Sequence, residues 1–142
     1  MTGRGAGTGT IRLIRVSLAD AANHEAVDVS RKPGGAISNP PLWDEKRQIA
    51  VAYDSAHGVM RAFRFHEKQC QLVPIWEIPN LGCASHMLLL PDSGNVVTND
   101  FAKREAVALI DIETGQVRDR ADIGGYMQGV TFPAPGWNND FY

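Results

Sequence analysis

Cysteine and surplus charge are both scarce in this sequence. The 142 residues include two cysteines, too few for a fold that rests on a disulfide framework. The formal net charge is −2 at pH 7, with 14 lysines and arginines against 16 acidic residues. Because no excess of positive charge would attract phosphate backbones or anionic lipids, we expect neither nucleic acid nor a membrane as a partner.

Long apolar runs are also missing. No run approaches the roughly 20 residues of a membrane-spanning helix, and the longest candidate, residues 87–90, ends at Pro91. The first ten residues lack the apolar region of a signal peptide, which predicts a cytoplasmic location if the chain is complete. The glycine-rich stretch 3–9 precedes no helix and ends in no Lys-Ser/Thr pair, so residues 1–10 are interpreted as a disordered tail.

Helical periodicity and acyl-transfer motifs are absent too. No window sustains apolar residues at helical spacing, and the G-x-S-x-G signature of a serine nucleophile does not occur. Strand-type alternation is present instead, for example where Ile11 and Leu13 flank Arg12. The sequences Asp-Ser-Gly at 92–94 and Glu-Thr-Gly at 113–115 are typical of tight turns. These patterns predict an all-β protein.

The sequence also contains an internal repeat. Residues 42–78 and 89–123 both give an apolar strand, a polar turn, a second strand ending in aspartate, a third strand, a hairpin and a fourth strand. The corresponding landmarks are Asp54 with Asp100, Phe63 with Ile110, Phe65 with Ile112, and Ile78 with Ile123. Their spacing of about 45 to 47 residues is close to the 40–45 of a four-stranded propeller blade.

The repeat divides the chain into β-propeller blades of four antiparallel strands that make up an incomplete propeller. After the tail 1–10 we expect one propeller fragment, residues 11–142. It divides into a half blade at 11–36, a blade at 37–84, a blade at 85–127 and the start of a further blade at 128–142. The total is about two and a half blades, whereas propellers close with about four or more.

The second repeat resembles a known family. Residues 97–99 read Val-Thr-Asn, 107–111 read Val-Ala-Leu-Ile-Asp, 113–117 read Glu-Thr-Gly-Gln-Val, 123–125 read Ile-Gly-Gly and 129–130 read Gly-Val. This order resembles the YVTN-type β-propeller repeat over residues 88–132, more weakly over 42–78 and poorly before residue 37. The chain departs from the pattern after Phe132, where Pro-Ala-Pro-Gly replaces the usual aspartate-glycine turn.

The resemblance implies a propeller, often seven-bladed, that binds small molecules, proteins or surfaces, or supports an active site. The chain also resembles the wider group of lactonase- and gluconolactonase-like propellers, which implies a divalent metal, such as calcium, in a central channel. The short blade count leaves three interpretations open. The chain is a fragment of a longer protein, it closes a ring with a second copy through its open blade edges, or it folds as an open stack of sheets.

Candidate site residues follow from the topology of a propeller. In each blade, the loop before the first strand and the loop between the second and third strands lie on the same face of the propeller. Asn39, His86 and Gln128 each precede the first strand of a predicted blade, at the channel mouth. The same face is expected to carry the following residues from the loops after the second strands: Asp54, His57, Asn99, Asp100, Lys103 and Arg104.

These residues predict a small-molecule or protein-binding pocket, with a divalent ion or a general acid or base at His86 as further options. A purely structural interpretation stands beside it, in which polar groups cap strand ends and bind water. Asp54 and Asp100 have their own structural alternative, an Asx-turn with the backbone two residues on. No zinc site is expected from Cys83 and His86, because no further soft ligand stands nearby.

Three functions fit these observations. The first is a non-catalytic binding or scaffold module with no required cofactor, which needs only the repeat. The second is a metal-dependent lactonase-like hydrolase, in which the metal polarises an ester carbonyl and whose complete site needs further blades. The third is a truncated remnant of a longer propeller protein. The sequence favours the binding module.

Overall fold

Strands make up nearly all the regular structure of this chain. The structure, a computed structural model, describes residues 8–36, 40–80, 87–100 and 106–124. Within these ranges there is no α-helix, and hence none that could span a membrane. The elements are β1 (Arg12–Val16), β2 (His24–Asp28), β3 (Leu42–Asp44), β4 (Ile49–Asp54), β5 (Val59–His66), a 3₁₀ turn (Glu67–Gln69), β6 (Gln71–Ile78), β7 (Leu88–Leu90), β8 (Asn95–Asp100), β9 (Ala106–Asp111) and β10 (Val117–Asp122).

The strands form two four-stranded antiparallel sheets and one hairpin. The first sheet has the order β3-β4-β5-β6, the second β7-β8-β9-β10, and β1 pairs with β2. The expected fold class is confirmed: these are all-β sheets of four antiparallel strands that do not close into a ring. The pairs Ala50↔Phe63 and Val96↔Ile110 occupy equivalent positions in the two sheets, so the observed register reproduces the offset of the sequence repeat.

Strand β4 of the first sheet is buried on both faces. All six residues of β4 are buried, although they alternate in direction along the strand. Ile49, Val51 and Tyr53 belong to a core cluster shared with the second sheet, whereas Ala50 and Ala52 belong to a cluster shared with the β1–β2 hairpin. Burial on both faces explains why this strand reads as a continuous apolar run.

Polar contacts also join the two sheets. The indole Nε1 of Trp76 on β6 donates to the carbonyl oxygen of Ile112, at 2.8 Å. The Nη1 of Arg47, which pairs with the Asp44 carboxylate at 2.9 Å, donates to the carbonyl oxygen of Pro91 at 3.1 Å. These contacts fix the position of the second sheet on the first. Within the first sheet, the antiparallel pairing of β4, β5 and β6 places the ends of β4 and β6 and the start of β5 on one face of the molecule.

Candidate functional site

The predicted site residues fall into two groups. Asp54, His57, Asn99 and Asp100 lie within the described parts of the chain. The other predicted site positions lie outside the described residues, and these are Asn39, His86, Lys103, Arg104 and Gln128. The channel-mouth set therefore stays a prediction, and the described candidate site lies at the turn that joins β4 to β5.

Asp54 is fully buried at the end of β4 and organises that turn. Its Oδ1 accepts hydrogen bonds from the backbone N–H groups of Ala56 at 3.0 Å and His57 at 3.3 Å. The bond to Ala56 is the predicted Asx-turn, which is confirmed. The same oxygen accepts from the N–H of Ala36 at 3.1 Å, which ties the segment before β3 to the turn.

The electrostatics of Asp54 favour its charged form. Burial of the side chain tends to raise its pKa, but hydrogen bonds from the Ser30 hydroxyl, the Ala36 N–H and His57 together hold the pKa below its ordinary value of 3.8. Gly35 packs directly over this group, since a Cβ there would lie 2.9 Å from Asp54 Oδ2. Asp54 is therefore a buried carboxylate with a complete set of donors.

His57 is oriented by the same carboxylate. Its Nδ1 lies 2.6 Å from Asp54 Oδ2, and its side chain is 16% exposed. With Nδ1–H donated to the carboxylate, Nε2 becomes the acceptor nitrogen of the ring. Nε2 makes no hydrogen bond to any other described residue. One ring nitrogen is thus fixed in the protein, and the other is left for a ligand or a water molecule.

A cleft of about 520 Å³ lies beside His57. Three separate parts of the chain form it, because β2, β4 and β6 all end on this face. The lining residues are Arg31, Lys32, Ala56, His57, Val59, Pro79 and Asn80. Sequence reasoning identified His57 but missed Arg31, Lys32 and Asn80. No local pattern marks those three residues, since their proximity arises from packing of the hairpin and β6 around the turn.

The charges around the cleft are unequal in number. Glu77 forms ion pairs with Arg31 and, at 3.2 Å, with Arg61. Lys32 is exposed and forms no ion pair with another described residue. Counting the buried Asp54 beside His57, two carboxylates face the three cations Arg31, Lys32 and Arg61. One positive charge is left over, so the local potential favours a ligand that carries negative charge.

The second sheet carries a different arrangement at the equivalent position. Asn99 and Asp100 end β8, and both are buried. Asp100 Oδ2 lies 2.9 Å from Arg120 Nε on β10, so this aspartate supports its own sheet through an ion pair. The strand-ending aspartates of the two sheets thus share a position, and one partner of Asp100 is an arginine of its own sheet.

The described residues do not fit a divalent metal ion. Among them, no group of three or more histidine, cysteine, aspartate or glutamate side chains comes close enough together to hold one. Asp54 is the obvious oxygen ligand on this face, but both of its oxygens already accept hydrogen bonds. A metal at the channel mouth therefore stays a prediction that rests on residues outside the described ranges.

Comparison with known proteins agrees with the architecture. No family model and no curated protein matches the sequence. Among solved structures, the chain is similar to a Bacteroides fragilis protein whose assigned activity is that of a 6-phosphogluconolactonase, with a TM-score of 0.54 and 18% identity. The chain has an incomplete propeller-like fold. The match covers 78% of this chain and 32% of that one, so this chain spans about a third of its neighbour's length, and identity this low shows the fold alone.

Proposed function

We propose that this chain is part of a β-propeller binding module and that its ligand site is the cleft beside His57. The observation that carries the proposal is the 2.6 Å contact between His57 Nδ1 and the buried Asp54 carboxylate. This contact holds the imidazole in one orientation at the wall of an accessible cleft. A histidine with one ring nitrogen fixed and the other facing a cleft is suited to bind a ligand there.

The composition of the cleft favours a small polar ligand with a negative group. Lys32 and Arg31 supply positive charge, and His57 Nε2 and the Asn80 side chain supply hydrogen-bonding atoms. A phosphorylated or carboxylated sugar has both kinds of group, and it matches the type of compound named for the Bacteroides fragilis neighbour. We also propose, from the sequence resemblance described above, that the repeat is of the YVTN type.

Binding can be tested by an NMR titration of the full chain with 6-phosphogluconate, with inorganic phosphate as the simpler probe. We expect saturable shifts at Lys32, His57 and Asn80, and a loss of binding of at least tenfold in His57→Ala. The matched control is His66→Ala, since His66 is an exposed histidine at the opposite end of β5. Equal binding by both variants would contradict the proposed site, as would shifts confined to other parts of the chain.

A lactonase-like hydrolase is the second candidate, supported by the fold of the neighbour and by the state of His57. With Nδ1 held by Asp54, Nε2 would take a proton from a water molecule as that water attacks a lactone carbonyl. The acyl C–O bond of the ring would then break, and Nε2 would return the proton to the departing ring oxygen, which leaves a hydroxy acid. Hydrolysis of glucono-δ-lactone by the full chain, followed with a pH indicator, tests this. Activity above the uncatalysed rate that is lost in His57→Ala and kept in His66→Ala would support it; no activity in any variant would remove it.

A further inference from the structure

The β1–β2 hairpin supplies part of the wall of the His57 cleft. Strand β2 runs directly into Val29 and Ser30, which are buried, and then into Arg31 and Lys32, which line the cleft. The lysine and the arginine of the lining both come from this segment. The positive charge of the cleft therefore depends on how the hairpin packs on the first sheet.

Ser30 links the hairpin to the carboxylate that orients His57. Its Oγ accepts a hydrogen bond from the backbone N–H of Ile11 at 2.8 Å, and its hydroxyl proton is donated to Asp54. A hydroxyl has one donor and two acceptor sites, so Ser30 makes both bonds at once. The N–H groups of Val29 and Ser30 also donate to the carbonyl oxygen of Ile11, at 2.8 Å and 3.1 Å. Hydrogen bonds thus run without a break from Ile11 to His57 Nδ1.

Gly35 packs over this series of hydrogen bonds. A Cβ on Gly35 would overlap Ser30 Oγ and would lie 2.8 Å from Ile11 Cγ1 and 2.9 Å from Asp54 Oδ2. Under this cover, Ser30 is only 4% exposed. Ser30 follows the hairpin and Asp54 belongs to the first sheet, so their bond is made only while the hairpin packs on that sheet. A shift of the hairpin would leave the buried carboxylate short of one donor.

The rest of the hairpin is held less tightly than the two sheets hold each other. An apolar groove of about 270 Å³ lies between β1 and β3, and Ile14 is 55% exposed beside it. At the far end, Glu25 Oε2 accepts from the N–H of Leu72 at 2.7 Å, and the Arg15 guanidinium lies 5.7 Å from the centre of the Phe65 ring. Segments with few buried apolar contacts open at a lower free energy than a core does. The hairpin is therefore the part of the cleft wall that shifts most easily.

We propose that packing of the hairpin and binding of a ligand in the His57 cleft are coupled, with Ser30 as the positioning residue that joins them. The ligand half of this inference rests on the proposed function. With the hairpin in place, Asp54 keeps its full set of donors and both cations line the cleft. When the hairpin shifts, the cleft loses the Ser30–Asp54 bond and its positive wall together. Because such coupling is reciprocal, a ligand that binds the packed form must also stabilise the packing of the hairpin.

The link from the hairpin to His57 is tested on the free chain by proton NMR. The His57 Nδ1 proton lies in a 2.6 Å contact with a buried carboxylate and should give a resolved downfield signal. We expect its exchange with water to be faster by about tenfold or more in Ser30→Ala, and by about threefold in Glu25→Ala at the far end of the hairpin. The matched controls, Ser17→Ala and Asp20→Ala, should leave the exchange unchanged, because these side chains accept hydrogen bonds from the hairpin's own turn.

Amide signals of the second sheet distinguish a local effect from general loss of stability. The amides of Val96 and Ile110, on β8 and β9, should exchange equally slowly in all variants. Unchanged His57 exchange in both Ser30→Ala and Glu25→Ala would overturn the link. Faster exchange at His57, Val96 and Ile110 alike would overturn it too, since Ser30 would then act on the whole fold.

The ligand half is tested with inorganic phosphate and with 6-phosphogluconate. Saturation of the unaltered chain should slow exchange of the Leu72 amide, which donates to Glu25 and lies far from the cleft. Both Ser30→Ala and Glu25→Ala should bind about threefold or more weakly, although neither residue lines the cleft. Binding without any change at Leu72 would overturn the coupling and leave the proposed site intact. No binding of either probe would overturn the proposed site and the ligand half with it, while the exchange of the free chain still decides the link to His57.

Discussion

At the scale of single residues, aspartates at strand ends hold the turns that follow those strands. Asp54 and Asp111 each accept hydrogen bonds from the backbone N–H groups of the residues two and three positions later. At Asp111, burial tends to raise the pKa. Hydrogen bonds from Arg118, from the N–H and hydroxyl of Thr114 and from the N–H of Glu113 outweigh burial and lower the pKa to about 2.

Asp111 should therefore contribute acid-sensitive stability. Its folded pKa lies below the unfolded value, so the contribution is present above about pH 4 and is lost as the pH falls through about 2. We expect Asp111→Asn to lower the free energy of unfolding by about 1–2 kcal/mol at pH 7, with the difference shrinking between pH 4 and pH 2. Urea unfolding across this range measures it. The control is Asp92→Asn, at an exposed turn position. If the loss of unfolding free energy in Asp111→Asn did not change with pH, the ionised Asp111 carboxylate would not be its cause.

At the scale of elements, the junction between the two sheets depends on a glycine turn. Gly115 lies between β9 and β10 with φ at +72°, and a Cβ there would lie 2.7 Å from Trp76 Cδ2 on the other sheet. The Trp76 ring needs this space because its Nε1 donates to the carbonyl of Ile112. The glycine therefore allows both the turn and the approach of the neighbouring sheet.

Comparison of two alanine substitutions separates these two effects. Gly124 also has a positive φ, +65°, but a Cβ there would have no atom of the described residues within 4 Å. We expect Gly124→Ala to lower the free energy of unfolding by about 1 kcal/mol because of backbone strain. Gly115→Ala should lower it by about 1–3 kcal/mol more, because the added Cβ also clashes with Trp76. Urea unfolding of both variants gives the difference. Equal losses would show that the sheets adjust freely at this junction.

At the scale of the whole molecule, the two sheets share one core. The buried cluster combines Met60 and Tyr53 of the first sheet with Val96 and Ile110 of the second, and the hairpin packs on the other side of β4. Since neither sheet buries its apolar face alone, stability is distributed over the junctions, as in other repeat proteins.

We therefore expect a single unfolding transition. Circular dichroism and tryptophan fluorescence should give the same urea midpoint, because Trp76 lies at the junction of the sheets. Met60→Ala removes a fully buried side chain from the shared cluster and should lower the midpoint of both signals together, at a cost of about 2–5 kcal/mol. Two separate transitions, or a change in one signal alone, would mean that the sheets unfold independently.

Much of the fold could be predicted from the sequence, because strand patterning and turn chemistry are local. Alternation and turn residues placed the strands, and the offset between Asp54 and Asp100 matches the observed register of the two sheets. The position of Asp54 at a strand end also predicted its Asx-turn. Such features depend on residues that are close together in the chain, so a single sequence contains the information.

The site and the open groove were decided only by the tertiary structure. Ser30 and Ala36 reach Asp54 from 24 and 18 positions earlier in the chain, and Asn80 joins the cleft from the far end of β6. No local sequence pattern predicts these contacts between distant parts of the chain, since they depend on how the hairpin and the sheets pack. The sequence by itself determined blades of four strands and where they turn. Packing determined that His57 is held beside a cleft with basic side chains, and that an apolar groove lies between β1 and β3.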